Sequence, residues 1–329
     1  MSDFPEKLYA CWHPVAYAHE VKETPYPSKL LNRNLVIWRT TDGKTHAMKD
    51  LCVHRGTALS LGRVVNDCIE CPYHGWRYNS EGKCSLIPQQ EKQNIPEKAK
   101  IDSYLCKERY GLIWVALKEP IYPLPEVPEI ESSDKWKVVL TGPFSWNTDA
   151  SRQVENFTDF GHFPWVHPDL LGDKNRLTVP DHTVTREGHI LYYTIKRPEA
   201  ANSQEFPIFG NKKSVGPERH SRYELHLPYT IVLRLNWGEE KEMVYFFVSQ
   251  PESQNTCRGH CIIGRNYDFE QPDSTLQNFE NVIFEQDKRI IESQRPQKVP
   301  FDLTEELHLN FDAVAINYRL GMKALGLDY

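Results

Sequence analysis

The stretch CVHRGTALSLGRVVNDCIECPYHGW, residues 52–76, carries two thiol–imidazole pairs, Cys52 with His54 and Cys71 with His74. If these four side chains meet, two loops must be held tip to tip. A zinc knuckle usually separates its ligands by at least two residues so that both can aim at one ion. The single residue between Cys52 and His54 is unusual for that. A two-iron cluster relaxes the demand: one iron takes both thiolates, the other both imidazoles, and each loop supplies one ligand of each kind. Gly56, Pro72 and Gly75 flank the ligands where tight turns could bring backbone N–H groups towards sulfur. Cys68 offers a competing C-x-x-C with Cys71, which would leave both histidines without a role.

The rest of the chain sets these loops in context. A length of 329 residues suggests two domains. The segment EPIYPLPEVPE, residues 119–129, contains Pro120, Pro123, Pro125 and Pro128 and reads as a stiff extended linker. The domains are therefore expected at 1–120 and 121–329. Before the linker, runs such as LVIWRT and GLIWVALK alternate with turn signals, a small all-β pattern. After it, strands such as HILYYTIK and EMVYFFVSQ mix with helical segments, so the whole is expected to be α+β. A net charge of −6 gives no support for nucleic-acid binding. No apolar run is long enough for a membrane span, and the first residues lack the features of a secretory signal, so a cytoplasmic location is expected. Eight cysteines in such a chain fit metal ligation and buried thiols better than a disulfide framework.

A second constellation lies in VENFTDFGHFPWVH. Asn156, Asp159 and His162 recur every three residues, which predicts one shared helical face. Pro164 is expected to end that helix, with a bend returning His167 towards His162. Non-haem Fe(II) that activates dioxygen typically uses two histidines and one carboxylate, leaving positions open. The carboxylate is sought in STLQNFENVIFEQDKRIIESQRP, where Leu276, Phe279, Ile283, Ile290 and Ile291 form an apolar stripe at helical spacing. Asp287 falls within that stripe, where a lone carboxylate is costly unless a cation compensates it. Glu280 lies on nearly the same face two turns earlier and is its rival; a buried salt bridge is the structural alternative. In TIVLRLNW, alternation puts Val232, Arg234 and Asn236 on one face. Arg234 would fork a substrate carboxylate if that face looked inward, and would otherwise be a surface residue.

C-x-H-R-G followed by C-P-Y-H-G-W resembles the Rieske 2Fe-2S signature of ring-hydroxylating oxygenases. Thr57 and Tyr73 stand where the respiratory type carries extra cysteines. Asp159, His162 and His167, followed by Asp287 with Gln294 and Pro296, resemble the catalytic half of the same family. The chain looks most like the phthalate dioxygenase and vanillate or dicamba O-demethylase group. The resemblance implies an all-β Rieske domain followed by a helix-grip domain. It implies a 2Fe-2S cluster on Cys52, His54, Cys71 and His74, and a mononuclear Fe(II) on His162, His167 and Asp287. It further implies that Asp159 bridges cluster and iron across a head-to-tail homotrimer, with Asn156 beside it in the site. The activity implied is that of a terminal oxygenase: O2 and a small, aromatic or heterocyclic substrate react using electrons from a separate ferredoxin or NAD(P)H reductase, with monooxygenation or demethylation favoured over cis-dihydroxylation. No G-x-G-x-x-G fingerprint follows a strand, in keeping with an external reductase. The competing expectation is a Rieske-type electron carrier or metal-binding module without oxygenase activity.

Overall fold

The computed structural model describes residues 4–131, 134–168, 170–198, 218–238 and 240–329. The chain divides into two compact units, Met1–Leu124 and Pro125–Tyr329, so the division falls inside the proline-rich segment. That segment does not stay extended to its end, because a short helix starts at Pro128.

In the first unit a short helix, α1 (Glu6–Tyr9), precedes ten strands. They are β1 (His13–Tyr17), β2 (Tyr26–Leu30), β3 (Arg33–Arg39), β4 (Thr45–Lys49), β5 (Arg63–Val65), β6 (Cys68–Glu70), β7 (Arg77–Tyr78), β8 (Cys84–Leu86), β9 (Ser103–Arg109) and β10 (Leu112–Ala116). A six-stranded antiparallel sheet runs β1-β10-β9-β4-β3-β2, and a four-stranded one runs β5-β6-β7-β8. β10, the run LIWVA, is buried throughout, as expected of a strand covered on both faces. Val36, Trp38, Met48, Leu59, Ile69 and Tyr78 pack with Cys52 and Cys71 in one apolar core. Both thiols thus enter the protein interior, while the loops that carry them face out.

The second unit opens with α2 (Pro128–Glu131) and β11 (Lys137–Trp146), then α3 (Ala150–Thr158) and α4 (Phe163–Val166). β12 (Thr185–Glu187), β13 (Ile190–Pro198), β14 (Glu218–His226), β15 (Thr230–Asn236), β16 (Glu242–Ser253) and β17 (Thr256–Arg265) follow, then α5 (Asp273–Ile291) and α6 (Ala313–Leu325). The sheet is antiparallel and seven-stranded, ordered β11-β17-β16-β15-β14-β13-β12. α3 packs on β16 and β17, and α5 on β11 and α3. Along β14, Arg219, Ser221, Tyr223 and Leu225 are buried and their neighbours Glu218, His220 and Arg222 exposed, the period of two of a half-covered strand.

The helices that bear the site are tied at both ends. Asp149 caps α3, its carboxylate accepting from the Ser151 N–H at 2.8 Å. Further along α3, Glu155 takes a fork from Arg319 of α6 at 2.6 and 2.8 Å. Arg319 also binds Glu306 at 2.6 Å, and Glu306 in turn binds Arg152 at 2.8 Å. Two buried guanidiniums and two carboxylates thereby clasp α6 to α3, the helix that ends just before Asp159. Such a group holds only while every charge keeps its partners.

Candidate metal centres

The two loops of the first unit adopt one backbone solution twice. The Cys52 N–H donates to the Thr57 carbonyl and the Gly56 N–H to the Cys52 carbonyl; the Cys71 N–H donates to the Trp76 carbonyl and the Gly75 N–H to the Cys71 carbonyl. Gly56 and Gly75 have φ of 73° and 71°, the left-handed region that a side chain disfavours. The loops bring the imidazoles of His54 and His74 to a centroid distance of 4.5 Å, edge to face. The Trp76 indole stacks flat on His54, also at 4.5 Å. Inside, the Tyr78 hydroxyl lies 3.1 Å from the Cys52 sulfur, a contact that a lone Tyr on a short strand does not announce in the sequence. Burial, together with a hydrogen bond from Cys52, pushes the Cys71 thiol up, while hydrogen bonds to its backbone neighbours pull it down. A thiol raised by burial gives up its proton only where a nearby cation compensates the charge.

The second site is built by a turn between two helices. α3 stops at Thr158, one residue before Asp159, which sits in an extended conformation. The expected single helical face therefore does not exist: Asn156 lies in the last turn of α3, Asp159 in the break, and His162 just ahead of α4. Thr158 ends the helix by turning its hydroxyl back to the Val154 carbonyl at 3.0 Å, a known local competitor of helix continuation. Asp159 then folds the chain, accepting from the Gly161 N–H at 2.8 Å. Pro164 does not end a helix; it stands in the first turn of α4, where its missing N–H costs nothing. Past His167, Gly172 lies so close to Phe163 and Pro164 that an added Cβ would fall 2.2 Å from the Pro164 nitrogen. Only glycine lets the chain close behind His167 in this way.

From α5, Asp287 completes the group. Its Oδ1 lies 2.9 Å from His167 Nε2 and 3.4 Å from His162 Nε2. Ligand atoms of these three residues all fall within 4.8 Å of one another, a set that could hold one metal ion. Among the described residues no other His, Cys, Asp and Glu group meets that spacing. The two thiols and two imidazoles of the first unit do not, which fits a cluster with two irons better than one zinc. The far nitrogen of each imidazole is anchored. His162 Nδ1 pairs with Asp159 Oδ2 at 3.0 Å, and His167 Nδ1 with Gln286 Oε1 at 2.8 Å. Each Nε2 is thus turned to the common point, facing Asp287 Oδ1. Carboxylate and amide partners behind ligating imidazoles fix tautomer and ring orientation in metal sites generally. Asn156 Nδ2 donates to Asp287 Oδ1 at 3.2 Å. Burial lowers the basicity of His162, but Asp159 and Asp287 more than reverse this, raising its pKa to about 9. Asp287 is likewise held low by the two histidines against the opposing effect of burial.

Gln286 had no sequence signal: a lone glutamine beside the carboxylate is legible only once His167 is seen against it. Glu280 is buried on α5 but turns to Tyr245, whose hydroxyl donates to Oε1 at 3.1 Å. It does not join the group of three. The expected stripe of α5 holds for Leu276, Phe279, Ile283 and Ile291, but Ile290 is 42% exposed. Arg234 is neither a substrate fork nor a free surface residue. Glu129 and Glu224 hold it, each at 2.5 Å, and its neighbours Leu233 and Leu235 face the opposite way, into the cavity beside the histidines.

The sequence comparisons agree with this architecture. A Rieske [2Fe-2S] domain model matches residues 11–104, and a vanillate O-demethylase oxygenase C-terminal domain model matches residues 146–327. The chain belongs to the Rieske oxygenases, with a catalytic domain of the vanillate O-demethylase type. It is 33% identical to the methylxanthine N1-demethylase NdmA of Pseudomonas putida, over 99% of this chain and 91% of that one. The methylxanthine N3-demethylase NdmB of the same organism is 32% identical, over 96% and 89%. The structure of NdmA with caffeine superposes with a TM-score of 0.84, covering 96% of this chain and 90% of that one at 33% identity. Dicamba monooxygenase bound to dicamba, at 20% identity, shares the fold with a TM-score of 0.85, covering 97% of each chain.

The chain is therefore an enzyme, a terminal oxygenase whose cofactors are a Rieske cluster and a mononuclear iron, not a simple electron carrier. The residues fit both groups. His54 Nδ1 is buried without a hydrogen-bond partner, and His162 Nε2, His167 Nε2 and an Asp287 carboxylate oxygen converge at metal-ligand spacing. Terminal oxygenases of this family draw electrons from a separate reductase or ferredoxin and act on small molecules. Among the described residues no helix is long and apolar enough to cross a membrane.

Proposed function

We propose that the enzyme oxidatively demethylates or hydroxylates a small aromatic or heteroaromatic molecule in the cavity beside His162, His167 and Asp287. The observation that carries this is the convergence of two Nε2 atoms and one carboxylate at the wall of an apolar pocket. Phe157, Phe163, Leu171, Leu233, Leu235 and Ile283 line the cavity there, an apolar and aromatic wall of the kind that takes a flat ring. The relatives matched over most of the chain are named for methylxanthines and for toluene-4-sulfonate, which supports a compact ring substrate.

In this reading Cys52, His54, Cys71 and His74 hold the cluster, and His162, His167 and Asp287 hold the iron. When bound, these groups supply the electrons and the oxygen-activating centre. The chain itself does three things. The aromatic wall, in which Phe157 stacks on Phe247 at 4.5 Å, excludes water and presents a flat surface to the substrate. Asp159 and Gln286 hold the imidazoles in register. Asn156 takes one lone pair of Asp287 Oδ1, which restrains how that carboxylate turns.

Asp159 is assigned to the junction with a neighbouring subunit of a homotrimer. Two facts support this: its side chain is 46% exposed although it anchors a histidine only 14% exposed, and it borders an opening also lined by Leu307 and Phe311. Leu307 is 88% exposed and Phe311 49%. Apolar side chains left bare around a charged group are typical of a surface that a partner covers. A ring closed by a repeated heterologous contact would supply that partner. A cytoplasmic location completes the proposal, as does a division of labour in which residues 1–120 receive electrons and 121–329 bind substrate.

The deciding experiment supplies the iron-loaded enzyme with a ferredoxin and reductase and offers N-methyl heterocycles, aryl methyl ethers and aromatic acids. Mass spectrometry should find formaldehyde and a demethylated product, or an added oxygen, with little free peroxide. Reduction of the cluster without product or peroxide from any of the panel would overturn the assignment.

A further inference from the structure

α5 presents two buried carboxyl groups to the same cavity. Asp287 meets the histidines; Glu280, two turns earlier and 4% exposed, does not. Phe279, Ile283, Leu233 and Leu235 surround it in the lining, and its hydrogen bond from Tyr245 engages one oxygen only. Burial raises its pKa to about 8, against the lowering effect of Tyr245, and Asp287 adds to the rise; a further donor on a bound ligand would favour the ionised, accepting form. A carboxyl group placed among apolar side chains is costly unless donors compensate it, and one tyrosine leaves acceptor capacity over. Seven residues of helix span about 10 Å, which is close to the length of a fused bicyclic molecule bearing a methyl group.

Resting on the pocket assignment above, we infer that Glu280, positioned by Tyr245, is a specificity-determining anchor: it accepts a hydrogen bond from an N–H on the substrate's ring edge. The substrate class is then a flat nitrogen heterocycle with a ring N–H or protonated amine at one end and the oxidised carbon at the other. Glu280 fixes the end remote from His162, so it selects which carbon reaches the metal. A site built to pair with an N–H rejects the analogue lacking it, because the buried acceptor is then left unpaired. The opposite wall is of different character. Arg197 and Arg219 face each other across β13 and β14, and the Arg197 guanidinium lies over the Phe163 ring at 4.5 Å. An anionic substrate would be led by that wall instead, and this is the competing outcome.

The test measures binding to the iron-loaded enzyme under anaerobic conditions by calorimetry, with matched N–H and N-methyl probes: theobromine against caffeine, and benzimidazole against 1-methylbenzimidazole. Benzoate serves as the anionic probe. Wild type should prefer the N–H member of each pair by a factor on the order of 10 to 100. Glu280→Leu should abolish the preference. Glu280→Gln, which keeps an acceptor oxygen, should retain part of it, and Tyr245→Phe should weaken it. Cluster absorbance and iron content show which variants are intact. Failure of the wild type to bind any N–H probe, tighter binding of benzoate, or an undiminished preference in intact Glu280→Leu and Glu280→Gln overturns the anchor. Ile283→Trp, which fills the cavity, should abolish binding of every probe. Binding retained there overturns the pocket assignment itself, a failure distinct from that of Glu280.

Discussion

The two candidate metal centres solve the same problem by opposite means. In the first unit, four candidate ligands come from two short loops, each fixed by its own backbone hydrogen bonds and a left-handed glycine. In the second, three candidate ligands come from a helix break and a helix more than a hundred residues later, and each imidazole is aimed by a side chain behind it. Local backbone geometry shapes the first group; tertiary packing shapes the second. The first should therefore fail when a ligand or a loop glycine is lost. The second should also fail, in graded fashion, when its supports are weakened.

The largest effects are expected at the ligands. His162→Ala, His167→Ala and Asp287→Ala should each abolish turnover and mononuclear iron while leaving the cluster spectrum intact, since Fe(II) binds weakly in the divalent series. Metal analysis and visible spectroscopy on one sample would check both halves of this statement. Conversely, His54→Ala or His74→Ala should lose the cluster and its acid-labile sulfide while retaining iron at His162. Loss of both centres from either set would erase the contrast between the two regions.

Asp159 comes next. Asp159→Asn keeps the shape of the side chain but weakens its hold on His162. It should preserve cluster, iron and oligomer yet slow reoxidation of the reduced cluster, with substrate and O2 present, by at least about ten-fold. A wild-type rate would remove Asp159 from the electron route. Gln286→Leu sharpens the comparison further, because it touches no ligand atom. Loss of the partner behind His167 should weaken iron binding by roughly 10- to 100-fold, read as iron retained after dialysis against a chelator. The smallest effect belongs to Tyr78→Phe. Removing the hydroxyl beside the Cys52 sulfur should lower the cluster potential by an amount on the order of tens of millivolts, measured by redox titration.

The contrast also explains what could be read from the sequence. The cluster loops were legible because their ligands, turn residues and spacing lie within one short stretch, and the stretch itself dictates its geometry. His162, His167 and Asp287 were legible only as types: two imidazoles near a bend, and a carboxylate in an apolar helical stripe. How they meet was misread, because three-residue spacing suggests a continuous helix, while Thr158 and Asp159 divert the chain through hydrogen bonds of their own. Arg234 was ambiguous for a related reason. Alternation tells which residues share a face, but not which face is inward, and Glu129, a hundred residues earlier, settles that. Gln286 and Tyr78 act through contacts that no local pattern encodes.

The clasp of Arg319 with Glu155, Glu306 and Arg152 has a consequence in time. Chains are made from the N-terminus, so the loop ligands from Cys52 to His74 exist long before Asp287, and Arg319 is made later still. α3 can be locked against α6 only when nearly all of the second unit has left the ribosome. Chain order thus sets what can form when: the thiols and imidazoles of the first unit are made early, and the clasp between α3 and α6 is among the last contacts of the second unit able to form.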